Sequence, residues 1–321
     1  FSPWSQAMPE TKQPLPWSRD NWPIAAAMIN FPGTLPDGSL VQEQSVDQWA
    51  ASLQQVVDAG FTELDPSDSW LRVADLSPSR LREFQYLLKT LGLTVPAIST
   101  TRRSSVIDPV HADEYLAYNH RVIDTAAEIG AKAVSFGLFG LLTEEQQKRL
   151  WFWTAEGVKN PDDPATYQKA VSRIRELGKH AAELGLEVSL EMYEDTYIGT
   201  ADGAVKFIND VDLPTVGINA DIGNLVRLHR PVEHWSSMID KLVPYAKYWH
   251  VKNYMRIEDP EKDLIISYPT SLALGIINYR VAVQKAIACG FKSAFLCEHY
   301  GGDGLSVCAM NRDYLRSILP R

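Results

Sequence analysis

Short apolar or β-branched runs alternate with longer amphipathic stretches from residue 23 onward, and the alternation repeats eight times. The short runs are 23–29 (PIAAAMI), 61–65 (FTELD), 93–98 (LTVPAI), 131–136 (AKAVSF), 186–192, 216–221, 247–253 and 293–299. They have the length and residue types of buried strands, while the stretches after them show the three-to-four-residue recurrence of helices with one apolar face. In five units a glycine stands between helix and strand, at Gly60, Gly92, Gly130, Gly185 and Gly290. That is where a left-handed helix cap is needed and glycine adopts it without a Cβ clash. Eight such units predict an α/β fold, a (β/α)8 TIM barrel, with functional residues on the loops after the strands. The organisation expected is an N-terminal arm over 1–20 and a single catalytic barrel domain over 21–321. An open doubly wound sheet is the rival, and no glycine-rich dinucleotide fingerprint follows the first strand to support it.

Two stretches exceed ordinary loop length. Residues 137–163 carry Trp151, Phe152 and Trp153 between the fourth strand and its helix, and are read either as a small helical insertion packing on the barrel rim or as a substrate or partner contact. Residues 254–277 carry charged and apolar side chains after the seventh strand and suggest a flap. The arm is rich in Pro and Trp, and Trp4, Trp17 and Trp22 predict that it docks, on a second copy or on another subunit.

With 321 residues, 45% of them hydrophobic, the chain can bury a large core. A formal charge of −9 argues against nucleic acid or an anionic membrane surface as the main partner, since both need clustered cations. A small neutral or polar substrate suits it better. Three cysteines, Cys289, Cys297 and Cys308, fall in segments read as helix, strand and helix and give no disulfide framework. A soluble protein in a reducing, cytoplasmic setting is the expectation, because no long apolar run and no signal-peptide pattern occurs.

The chemistry gathers at the downstream ends of the last four runs: Glu191, Asp221, His250 and Glu298. If the runs are barrel strands, these ends converge on one face. Three carboxylates and an imidazole suit an oxygen-preferring divalent metal, manganese first, with magnesium, cobalt or zinc as the other choices. Taken singly, each has a structural reading: rim salt bridges for the glutamates, a helix cap for Asp221, a core imidazole for His250. Their shared position favours the metal. Strand alternation places Lys252 on the face of His250, to stabilise an anionic intermediate or to pair with a ligand carboxylate. Glu194 and Asp195 could orient ligands or be solvated. His299 follows a ligand in the turn HYGGDG and is carried as a candidate substrate contact, and so is Asn224. His111, His120 and His180 are read as surface or packing residues.

The segments LEMYED, NADIGNL, WHVKNY and CEHYGGD resemble the strand ends of the xylose-isomerase-like superfamily of sugar isomerases and epimerases, with likeness from about residue 20 to 320 and strongest from 186 to 304. The ketose 3-epimerases of that superfamily imply Glu191, Asp221, His250 and Glu298 as metal ligands in that order. They also imply Glu191 and Glu298 as acid and base on opposite substrate faces, and Arg256, six residues after the histidine, as a substrate contact. Two positions depart from their pattern: Asn224 stands where they have histidine, and Tyr197 where they have a second glutamate. The resemblance extends to the α subunits of C-glycoside deglycosidases, lyases on 3-oxo-glucosides that work with a small second subunit.

The first expectation is therefore a metal-dependent sugar isomerase or epimerase that deprotonates the carbon beside a carbonyl through a metal-stabilised enediolate. The second is a catalytic deglycosidase α subunit with a small partner subunit, acting on a glycoside. The third is a non-catalytic sugar-binding barrel. A homo-oligomer or a complex with a small subunit is expected in either enzymatic case. An endonuclease of the same superfamily, with its trinuclear zinc site, would need more than the seven scattered histidines present.

Overall fold

The computed structural model describes residues 14–321. Eight parallel strands form the centre: β1 (Ile24–Ala27), β2 (Leu64–Asp65), β3 (Ala97–Ser99), β4 (Ala133–Gly137), β5 (Glu187–Glu191), β6 (Val216–Asn219), β7 (Trp249–Val251) and β10 (Phe295–Cys297). They run in two four-stranded groups, β2-β1-β10-β7 and β3-β4-β5-β6. Single parallel bridges, Glu63 to Thr94 and Ile218 to Ala246, join the groups at both seams, as a TIM barrel requires.

The strands are shorter than the apolar runs, for local reasons. Pro96 has no N–H to give a ladder, so β3 begins after it, at Ala97. The sixth strand stops at Asn219, which leaves Asp221 two residues beyond it in the turn toward the short helix Gly223–Val226. The seventh stops at Val251, and Asn253 already belongs to an antiparallel hairpin, β8 (Asn253–Asp259) with β9 (Leu264–Thr270). Residues 254–277 are therefore built largely as a two-stranded ribbon. All five inter-unit glycines take positive φ, between 68° and 92°.

Helices pack around the strands with apolar faces inward, several starting on a side-chain cap such as Ser45, Ser77, Asp163 or Asp303. Each cap contributes about 1 kcal/mol by satisfying an otherwise unpaired N–H. The interior of the barrel is filled separately, by small side chains such as Ala25, Ala27, Ala97 and Ala133 around Tyr248 and Leu296. Small residues near the floor leave width for larger polar groups above them.

Residues 14–20 of the arm lie on this chain's own barrel. Arg19 N donates to Pro320 O, and the Trp17 ring meets Trp22 edge-on at 5.5 Å. Trp22 is fully buried, with its indole N–H on Ser293 O. Trp4 lies outside the described residues. The 137–163 stretch contains a short helix, Glu144–Gln147, and a 3-10 turn, Phe152–Thr154. Trp153 is buried against Tyr254 and Tyr300, with Trp151 stacked on it at 5.1 Å. Its aromatics thus pack on the rim, as the insertion reading expected. Among the described residues no helix is long and apolar enough to cross a membrane.

Candidate metal centre

The downstream strand ends meet at one mouth of the barrel. One ligand atom each from Glu191, Asp221 and His250 lies within 4.8 Å of the others, and all three residues are buried. Glu298 reaches the same place from one residue past β10: its Oε1 is 3.7 Å from His250 Nδ1, and its Oε2 accepts from Lys252 Nζ at 2.6 Å. Lys252 Nζ also donates to Asp221 Oδ2 at 2.5 Å, so this fully buried ammonium bridges two carboxylates. Gly223 makes the approach possible, because a Cβ there would lie 2.7 Å from Lys252 Cγ.

Two buried atoms at the centre have no hydrogen-bond partner, Asp221 Oδ1 and His250 Nδ1. Orphaned buried polar atoms are rare because each costs about 1–3 kcal/mol. A carboxylate oxygen and an imidazole nitrogen left open beside a third carboxylate are what a divalent cation would satisfy. The donor set, oxygen-rich with one nitrogen, fits such an ion.

The groups behind the cluster hold it in shape. His250 Nε2 lies 3.0 Å from Ser99 Oγ, whose hydroxyl donates to Asp65 Oδ2 at 2.6 Å, and Tyr248 donates to the same oxygen at 2.8 Å. With Ser99 accepting from Nε2–H, the free electron pair of Nδ1 faces Glu191 and Glu298. Backbone His250 N donates to Asn219 Oδ1, which locks β7 against β6. Asn224 is buried, and its amide donates to Met192 O at 2.8 Å, Glu191 Oε1 at 3.1 Å and Asp221 Oδ2 at 3.3 Å. Its place is thus behind the two carboxylates, not in the open cavity.

Burial, with the nearby Glu298 and Asp221 charges, pushes Glu191 up to about 8. Burial also raises Asp221 to about 6, against the pull of Lys252. Burial works against Glu298 too, but Lys252 and His250 hold it below the ordinary carboxylate value. Desolvation drops His250 to about 4, so its imidazole is neutral at pH 7 and open to a metal.

The cavity above the cluster opens to solvent and is narrow, with about 20 Å³ of room for the centre of a water-sized sphere. Glu191, His250 and Glu298 form one wall, and Ser67, Ser99 and Arg102 belong to the other, with Phe139, Tyr193 and Tyr300 around the opening. A larger surface cleft beside Asp195 and Arg230 contains none of the clustered groups.

Other expected residues are placed elsewhere. The guanidinium of Arg256, expected to contact substrate, is occupied by the carbonyls of Val226, Leu228 and Arg230 and by Glu258, because it closes the turn after the Gly223–Val226 helix. His299 is half-buried and does not line the cavity; its neighbour Tyr300 does. Tyr197 sends its hydroxyl to Pro161 O, far from any ligand carboxylate contact. Glu194 is buried and paired with Arg227 at 3.4 Å, while Asp195 pairs with the exposed Arg230. His120 and His180 join two outer helices, ring to ring.

Sequence reasoning missed Asp65, Ser99, Arg102 and Tyr193. Asp65 ends the run FTELD as Glu191 ends LEVSLE, so the strand-end logic used for the metal set could have found it. Ser99 ends β3 and was open to the same logic, whereas Arg102 and Tyr193 lie beyond strand ends with no distinguishing signal.

Residues 53–317 match the family model described as xylose isomerase-like TIM barrel. A xylose isomerase-like TIM barrel protein from Mycobacterium smegmatis, solved in complex with magnesium, is 47% identical with a TM-score of 0.91, covering 94% of this chain and 98% of that one. D-psicose 3-epimerase from Clostridium cellulolyticum H10, solved with D-tagatose, is 15% identical with a TM-score of 0.63, covering 93% of this chain and all of that one. The 3-keto-D-glucoside 4-epimerase of E. coli is likewise 15% identical with a TM-score of 0.63, covering 92% and 99%. At that identity the last two share the fold. No curated protein is matched.

Proposed function

The chain belongs to the xylose isomerase-like TIM-barrel family, and from that premise we propose that it is a divalent-metal-dependent sugar isomerase or epimerase that removes the proton from a carbon beside a carbonyl. The observation that carries this reading is the pair of partnerless buried atoms, Asp221 Oδ1 and His250 Nδ1, beside Glu191. The 47%-identical M. smegmatis protein in complex with magnesium supports a metal at this kind of site. Magnesium joins manganese, the ion preferred on donor chemistry, as the cation to test first. A cation held by Glu191, Asp221 and His250, with Glu298 at its side, would polarise the substrate carbonyl and offset the charge left by deprotonation.

The chain's own groups divide the proton work. Glu298, kept ionised by the Lys252 ammonium on its Oε2, is the base, with Oε1 free of that ion pair and 3.7 Å from His250 Nδ1. Glu191, the other glutamate lining the cavity, is the group that returns the proton. Lys252 touches the carboxylates and not the open cavity, so its part is to hold the base ionised and in place. Asn224 fixes the rotamers of Glu191 and Asp221.

Proton return to the opposite face gives epimerisation, and return to the neighbouring carbon gives isomerisation. Incubation of metal-loaded protein with a panel of ketoses and oxidised sugars in deuterated water should exchange the hydrogen beside the carbonyl. No exchange with any of them, in a protein shown by metal analysis to carry its ion, would count decisively against the reading. Release of an aglycone from a 3-oxo-glucoside, dependent on a co-purified small subunit, would replace it with the deglycosidase reading. A protein that takes up no metal would be left as a non-catalytic binding barrel.

A further inference from the structure

Two consecutive arginines after β3 are treated differently. Arg103 is neutralised, its Nε 2.6 Å from Asp68 Oδ2. Arg102 lines the cavity and, among the described residues, has no carboxylate within ion-pair distance. Its hydrogen bonds go to neutral acceptors, Gly140 O at 3.1 Å and the Tyr193 hydroxyl at 2.9 Å, and Nε makes none. The guanidinium lies over the Phe152 ring at 5.0 Å and those of Phe139 and Tyr193 at 5.5 Å, which position it without cancelling its charge.

The backbone is bent to aim it. Arg102 has φ 56°, in the left-handed region that costs a residue with a Cβ about 1–2 kcal/mol. Such strain is kept where the surroundings hold a side chain to a task. Phe139 and Tyr193, stacked at 4.1 Å, form the flat face of this clamp.

We propose that Arg102 is a specificity-determining residue that binds a carboxylate of the substrate, so that the natural substrate is a sugar acid. The proposal rests on the sugar reading above and names its substrate class. A guanidinium recognises a carboxylate by a charge-assisted pair, worth roughly twice a neutral hydrogen bond. One cation matches one negative charge. A phosphate dianion would bring a second charge into a cavity that already holds Glu191 and Glu298, with no further unpaired cation on its wall. The neutral end of the substrate, carrying the carbonyl, then lies toward the ligand wall, and the acid end lies toward Arg102.

The test uses matched pairs that differ only in the acid group: D-fructuronate against D-fructose, and D-glucuronate against D-glucose. Calorimetric titration of the full chain loaded with magnesium or manganese should show the acid of a pair binding at least tenfold more tightly. In Arg102→Gln that ratio should fall to near one, while Arg102→Lys should keep part of it. Arg102→Gly removes the cation where the backbone already has a conformation suited to glycine, so loss of the ratio with unchanged melting temperature separates binding from folding. Equal binding of acid and neutral sugar, a ratio unchanged by Arg102→Gln, tighter binding of fructose 6-phosphate than of fructuronate, or no binding by either member of any pair would overturn the proposal. Deuterium exchange is read separately on the same samples. Arg102-dependent acid binding without exchange sinks the isomerase reading and leaves this site, whereas exchange with neutral ketoses only does the reverse.

Discussion

The two walls of the cavity are built by different means. The ligand wall is made at or just beyond the ends of β5, β6, β7 and β10, where each side chain's direction follows from a regular ladder, and its groups hold one another: Lys252 on Asp221 and Glu298, Asn224 on Glu191 and Asp221. The opposite wall comes from the end of β3 and from the segments after β2, β3 and β4, and two of its residues, Ser67 and Arg102, lie in left-handed backbone. Charge is concentrated on the first wall and strain on the second. The first therefore suits an invariant step, binding a cation and moving a proton, and the second suits recognition, which loops can vary without disturbing the strands.

Breaking the ligand wall at its hub should have the largest effect. Asp221→Ala removes one of the proposed metal ligands and leaves Lys252 buried with one partner instead of two. Loss of one member of a buried ion pair costs about 3–5 kcal/mol, so chemical denaturation of the metal-free variant should show a drop of that order. Calorimetric titration with magnesium or manganese should find no binding. A variant that keeps both stability and full metal occupancy would show that the wall is not organised around Asp221.

This difference between the walls also decided what could be read from the sequence. Glu191, Asp221, His250 and Glu298 were legible because the barrel repeat assigns a direction and a mouth to any strand-end residue, and all four lie at that mouth. Lys252 was legible down to its face, but alternation cannot say what an ammonium will touch. Its two carboxylate partners follow from the gap left by Gly223, a packing fact. Asn224 was located but its task was not, since only the fold shows its amide against Glu191 and Asp221. Arg256 shows the opposite limit: its spacing from His250 fits the family resemblance, but β8 turns it toward the carbonyls of Val226 and Leu228. Arg102 and Ser67 had no signal, because a left-handed φ at a residue other than glycine leaves no pattern in sequence.

The next effect joins the walls, because Ser99 at the end of β3 holds His250 from the ligand side. Ser99→Ala breaks the Asp65–Ser99–His250 chain without touching a ligand atom. Losing such a supporting contact lowers metal affinity by about 10–100-fold, to be read by competition with a chelating dye. An unchanged affinity would mean that packing against Tyr248 alone, ring to ring at 5.2 Å, orients the imidazole. Asp65→Asn should give a comparable loss, since an amide that keeps its oxygen for the Tyr248 and Ser99 hydroxyls sets its NH2 against the backbone N–H groups of Ser67 and Ser99 that donate to Oδ1.

Acidity offers a graded version of the same test. In the metal-free protein Glu191 keeps its proton until about pH 8 and must lose it to act as a ligand. Metal affinity should therefore rise with pH by up to about tenfold per unit for one released proton, and level off above pH 8. Titrations in buffers of different ionisation heat should detect close to one proton released at pH 7. Because the folded-state value is raised above the ordinary glutamate value of 4.5, the unfolded chain loses its proton first, and this group's effect on metal-free stability is a fall as pH rises between about 4.5 and 8. Affinity that is flat from pH 6 to 8 would place the proton on another group.

The smallest effect isolates the strain on the loop wall. Ser67 has φ 45°, yet its backbone N–H donates to Asp65 Oδ1 at 2.9 Å, an interaction that survives any side-chain change. Ser67→Gly relieves about 1–2 kcal/mol of left-handed strain and gives back about 0.5–1 kcal/mol through the greater freedom of glycine in the unfolded chain. It also removes the contact of the Ser67 hydroxyl with that of Ser69, at 2.9 Å, which is only partly buried. The balance is a gain of less than about 1 kcal/mol, a small rise in melting temperature, with metal affinity unchanged. A clear loss of stability would mean that the hydroxyl, not the turn, is what the loop preserves, and that the strain at Ser67 is incidental to the way this wall is held. The same comparison at Arg102, where the strained side chain brings a charge to the cavity that no carboxylate pairs, then separates strain kept for folding from strain kept for recognition.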